Sequence, residues 1–206
     1  MIKNLKLETR NRRSGVTLVE IIVVVFVIGL FTMILVSDFP QIQKRYALFN
    51  TAYRLSQDMR VAQDLGLSGI TIYDVNKVAI AAKGYGIYIN LSQSNKQYVI
   101  YADVDGSQEY NGGANYPLCG SLSGPQTDCV INMIDLSKTS PYLYIKGLNN
   151  ISVAYTSVNF SPPGPIIKIG NLNSGKSSIG IELGLTSDVS LLRRILVNTS
   201  GLIETQ

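Results

Sequence analysis

Hydrophobic and polar positions divide this chain into four stretches. Residues 1–15 are polar and basic. Val16–Val36 is a 21-residue apolar run, interrupted only by Thr17, Glu20, Gly29 and Thr32. As a helix it is about 30 Å long, the thickness of a bilayer's hydrocarbon core. Beyond Pro40 the pattern turns amphipathic. Leu48, Ala52, Leu55, Met59, Ala62 and Leu65 recur at steps of four and three, while Lys44, Arg45, Arg54, Asp58, Arg60 and Asp64 fill other faces. This predicts a helix with one buried stripe. Pro40 removes a backbone donor and predicts a kink. Gly66 and Gly69 predict the helix end.

From Ile70 onward the period shortens to that of strands. Candidates are Ile70–Tyr73, Gly84–Leu91, Gln97–Ala102, Val130–Leu136, Tyr142–Ile145, Ile151–Tyr155, Ile166–Ile169, Ser178–Leu183 and Arg194–Asn198. Turns rich in Gly, Asn and Ser separate them, as at Asn111-Gly112-Gly113 and Asn173-Ser174-Gly175. The expected fold is α+β: a long N-terminal helix, membrane-spanning in its first half and amphipathic in its second, packed on an antiparallel β-sheet head. The expected division is 1–15 leader, 16–37 membrane helix, 38–69 amphipathic helix and 70–206 head.

Charge sharpens the picture. The chain has 206 residues, 18 basic and 14 acidic, a net +4. Residues 1–15 carry Lys3, Lys6, Arg10, Arg12 and Arg13 against Glu8, which is 5 − 1 = +4. The rest carries 13 of each sign and is neutral. The body therefore has no net field to attract phosphate, and nucleic acid is not an expected partner. The basic block should stay in the cytoplasm, which puts the head outside.

The apolar run is too long for a cleaved secretory signal, and Val36-Ser37-Asp38 is a poor cleavage site. A plain signal anchor on a stand-alone extracytoplasmic binding module is the alternative, but it leaves Glu20 unexplained. A charge within a membrane span costs about 2.5–3.5 kcal/mol and usually has a partner. No basic residue lies between Val16 and Gln43. Cleavage between Gly15 and Val16 would create a positive α-amine one helical turn from Glu20. In a staggered helix bundle, the Glu20 carboxylate of one subunit would meet the Val16 amine of the next, in a low-dielectric core.

Arg12-Arg13-Ser14-Gly15 followed by Val16-Thr17-Leu18-Val19-Glu20 and the apolar run resembles the prepilin leader of type IV pilins and type II secretion pseudopilins. The resemblance implies a structural subunit of a pilus or secretion filament. A prepilin peptidase would cut after Gly15 and methylate Val16, and Glu20 would serve assembly. Phenylalanine usually follows the cut in that family, and Val16 departs from this. Expected partners are other pilin or pseudopilin subunits, the peptidase, an inner-membrane assembly platform, and membrane lipid before assembly. Residues 54–63, 84–89, 101–106 and 193–201 are similar to H-type minor pseudopilins and the related T-type fimbrial minor pilins.

Other chemistry is sparse. The chain has no histidine, which removes Ser-His-Asp and Cys-His nucleophile systems. Cys119 and Cys129 are the only cysteines, too few for a zinc site of Cys and His alone; in an exported chain they read as a disulfide. Gly170-Asn171-Leu172-Asn173-Ser174-Gly175-Lys176-Ser177 fits a phosphate-loop pattern. No helix start follows it, so it reads as a hairpin turn. Asp103, Asp105 and Glu109 offer a calcium candidate, although a solvated hairpin turn explains them as well. The 12 tyrosines read as strand residues. No cofactor and no catalytic residue are expected.

Overall fold

The computed structural model describes residues 15–121, 127–162, 164 and 166–206. Residues 1–14, which make up all but the last residue of the expected leader, lie outside this set. The chain divides into two compact units, one ending at Ile42 and the other Gln43–Gln206. Helix α1 covers Leu18–Ser68, and its helical run continues through Pro40. In the first unit its apolar side chains are exposed throughout, Val19, Ile22, Phe26 and Leu35 among them. This segment is long and apolar enough to cross a membrane.

In the second unit the expected stripe is buried. Leu48, Ala52, Leu55, Met59 and Ala62 are each at most 2% exposed. The helix ends where Gly69 adopts a left-handed φ of +58° and its N–H donates to the Leu65 carbonyl at 3.1 Å. Such a glycine caps a helix because it has no Cβ to clash. Gly66 has a different role inside the helix: a Cβ there would run into the Phe160 carbonyl.

Among the described residues eleven strands follow: β1 Ile72–Tyr73, β2 Ala79–Ile80, β3 Gly84–Asn90, β4 Gln97–Asp103, β5 Cys129–Asp135, β6 Leu143–Asn149, β7 Tyr155–Ser161, β8 Ile166–Ile169, β9 Ser178–Leu185, β10 Asp188–Asn198 and β11 Ile203–Thr205. They form a five-stranded sheet in the order β5-β4-β3-β7-β8, a four-stranded sheet β11-β10-β9-β6, and the small pair β1-β2. Every strand pair within these sheets is antiparallel. The fold is α+β. Its main core joins the helix stripe to Ile87, Ile89, Tyr98 and Phe160 from one sheet and to Ile181, Leu183, Ile195 and Val197 from the other. In β9, Ile179, Ile181, Leu183 and Leu185 alternate inward, as a period of two requires. The Tyr98 hydroxyl donates to the Asp58 carboxylate at 2.5 Å and ties the helix to β4.

Three expectations change. Residues 151–155 do not form a strand: Ile151 makes one isolated bridge to Leu172, and β7 begins only at Tyr155. Gly170–Ser177 is not a hairpin turn, because β8 and β9 lie in different sheets and the loop passes between them. Asp103–Glu109 is not a tight hairpin turn either: β4 pairs with β5, but residues 104–128 intervene. Part of that segment folds back over the sheet, where Tyr110 and Tyr116 pack with Val99, Val130 and Tyr88.

Candidate functional site

Gly15, Val16 and Thr17 precede the first helical residue, Leu18. Thr17 caps the helix: its Oγ1 accepts from the Glu20 N–H at 3.3 Å, and its carbonyl accepts from the Ile21 N–H at 3.3 Å. Thr17-Leu18-Val19-Glu20 is thus the T-x-x-E spacing of a capping box, a local signal that the sequence reading above did not use. The helix N-terminus carries partial positive charge, which favours a carboxylate in the first turn. Glu20 is exposed, and neither ion pair of the described residues, Lys168–Glu109 or Arg194–Glu182, includes it. Val16, Leu18, Val19, Ile21 and Ile22 around it are all more than half exposed. An acidic group therefore lies at the head of an uncovered apolar helix.

The second unit holds the other sites that the sequence singled out. Cys119 and Cys129 form a disulfide with a Cα–Cα separation of 4.8 Å. Of the loop it closes, residues 122–126 lie outside the described set.

Asp103 and Asp105 do come together, but their third neighbour is Asp128, with ligand oxygens within 4.8 Å of one another. Glu109 instead pairs with Lys168 at 3.1 Å. Asp128 was invisible to local spacing because it arrives from the far side of the 104–128 segment. Backbone and side-chain donors occupy these carboxylates. Asp103 accepts from the Gly106 and Gln108 amides at 2.6 and 2.9 Å and from Asn159 Nδ2 at 3.3 Å. Asp128 accepts from the Val104 and Asn111 amides, each at 3.0 Å. Burial pushes Asp128 up to about 6, and the neighbouring Asp103 and Asp105 charges add to the rise. Burial also raises Asp103. Asp105 is held below its ordinary value: burial works upward, but the Ser107 amide and the Asn111 side chain outweigh it. The geometry is that of a carboxylate-braced loop, with a cation-sized set of oxygens at its base.

The decisive comparison concerns the N-terminus. The N-terminal segment matches the model of the prokaryotic N-terminal methylation motif. The match covers residues 10–36, which include Gly15, Val16, Glu20 and the whole apolar run. No curated protein and no solved structure matches the chain. The methylation motif supports a type IV pilin-like or pseudopilin subunit, and it covers a segment whose apolar side chains are exposed throughout.

Proposed function

We propose that this chain is a structural subunit, a minor pilin or pseudopilin, of a type IV pilus or type II secretion-like filament. Residues 1–15 are its leader, cut after Gly15, and Val16 is the mature, N-methylated first residue. Residues 16–37 span the inner membrane before assembly and form filament core afterwards, with the head of residues 70–206 outside the cytoplasm. Other pilin or pseudopilin subunits, a prepilin peptidase and a membrane assembly platform are its partners. The short similarities to H-type and T-type minor subunits support the minor assignment.

The observation that carries this reading is the methylation motif on residues 10–36, where the start of α1 has uncovered apolar side chains and Glu20 is the one carboxylate. Exposed apolar surface on this scale marks a membrane or a protein partner. The same helix continues with Tyr46, Phe49 and Tyr53, exposed rings at steps of three and four that suit packing against a neighbouring helix. Cleavage removes five basic side chains that a filament core would exclude, and it leaves one amine for the Glu20 carboxylate of another subunit.

Replacing Glu20 with Val tests the mechanism. Insertion and cleavage should persist, because the apolar run, Gly15 and the leader are intact. Recovery in the sheared filament fraction should fall by more than about tenfold, since breaking a buried pair leaves an uncompensated charge. Wild-type recovery would show that Glu20 does not supply the pairing.

A further inference from the structure

A cleft of about 220 Å³ lies beside β3, lined in part by Tyr88, Asn90, Gln93 and Tyr110. The Tyr88 and Tyr110 rings are tilted against each other with centroids 4.6 Å apart, and both are half-buried. Tyr155 extends this aromatic surface, with its ring 6.4 Å from Tyr88 and exposed. Side-chain hydrogen bonds fix what the cleft has left to offer. The Tyr88 hydroxyl accepts from Asn90 Nδ2 at 3.1 Å, so its own proton remains available to donate. The Tyr110 hydroxyl donates to the Gly113 carbonyl at 3.3 Å, so its lone pairs remain available to accept. Gln93 uses one N–H on the Ala114 carbonyl at 2.7 Å, which leaves its other N–H and its side-chain oxygen.

We propose that this cleft binds a single neutral sugar ring. Sugar rings have apolar C–H faces that lie against aromatic rings, and hydroxyls that both donate and accept. The cleft supplies tyrosine rings together with unspent donors and acceptors of both kinds. Among the described residues no Lys or Arg lines it. At its rim Asn111 hydrogen-bonds the exposed Asp105 carboxylate, which disfavours phosphate, sulfate and sialic acid. The volume is below the roughly 300–1,000 Å³ typical of drug-sized ligand sites, which suits one ring and not a long chain buried end to end. This site is distinct from the N-terminal assembly segment, so binding is read on unassembled protein and stands or falls apart from the filament proposal.

The test uses the full chain in a detergent without a sugar headgroup, applied to an array of neutral, sialylated and sulfated glycans. The strongest neutral glycan is then titrated against wild type, Gln93→Ala and Tyr88→Phe. Gln93 is exposed and Tyr88→Phe keeps the ring, so both variants should fold, which circular dichroism checks. The expected result is binding to at least one neutral glycan, with each variant weakened about fivefold, the size of one lost hydrogen bond. Folded wild type that binds no neutral glycan would overturn the proposal. So would a preference for charged glycans, or wild-type affinity in both variants.

Discussion

At the scale of single residues, the buried carboxylates give the clearest pH signature. Asp128 rises from an ordinary 3.8 to about 6 because burial penalises its charge. The folded state therefore holds this proton more tightly than the unfolded chain does. Its contribution to stability is largest below about pH 4 and is lost as pH climbs through about 6. Asp105 works in the opposite sense, because its pKa is lowered on folding. Asp128→Asn separates the two. Between about pH 4 and pH 6, the melting temperature of wild type relative to this variant should fall as pH rises. A difference that stays flat across that window would contradict the burial argument. Local spacing exposed Asp103 and Asp105 as neighbours, yet Asp128 is brought in by tertiary pairing and could not be read from the sequence. Glu109 lay at a plausible spacing but found Lys168, a residue of β8. The roles expected of Gly15, Val16 and Glu20 rest on chain order at the N-terminus and not on the fold of the head.

At the scale of elements, the helix stripe and the sheets make one core. Leu55 is fully buried within it. Leu55→Ala should therefore destabilise the head by about 2–5 kcal/mol, measured by chemical denaturation. An effect within about 0.5 kcal/mol would mean that the helix does not pack as described. Gly66 gives a sharper test of the helix–sheet approach, because any Cβ there would meet the Phe160 carbonyl. Gly66→Ala should lower the melting temperature, although alanine is the better helix former by about 1 kcal/mol; a rise would place the helix farther from β7. The stripe was legible because its apolar residues keep helical spacing, and β9 because its apolar residues alternate. The start of β7 was not. Its sequence, Tyr-Thr-Ser-Val-Asn-Phe-Ser, carries Thr156, Ser157, Asn159 and Ser161 in buried positions. Their partners come from elsewhere: Thr156 Oγ1 donates to the Gly170 carbonyl at 2.7 Å, and Asn159 Nδ2 donates to the Tyr101 hydroxyl at 3.2 Å. Polarity therefore hid a central strand, while Ile151 and Val153 imitated one.

At the scale of the whole molecule, two kinds of order meet in one chain. The second unit is complete in itself, with a buried core and a disulfide over a sequence separation of 10. Replacing both cysteines with Ser should cost on the order of 2–3 kcal/mol of head stability, read by denaturation without reductant. An unchanged midpoint would make the crosslink dispensable. Among the described residues the first unit has no such core, and its apolar side chains there are exposed. Under the proposed function a membrane and then neighbouring helices cover them, and the basic leader is removed before the second step. Mass spectrometry of the N-terminal peptide, from membrane-extracted protein of cells with an active prepilin peptidase, tests this most directly. The account predicts a chain that begins at Val16 and carries one added methyl group on its α-amine. A chain that still begins at Met1, or one cut at any other bond, would contradict it.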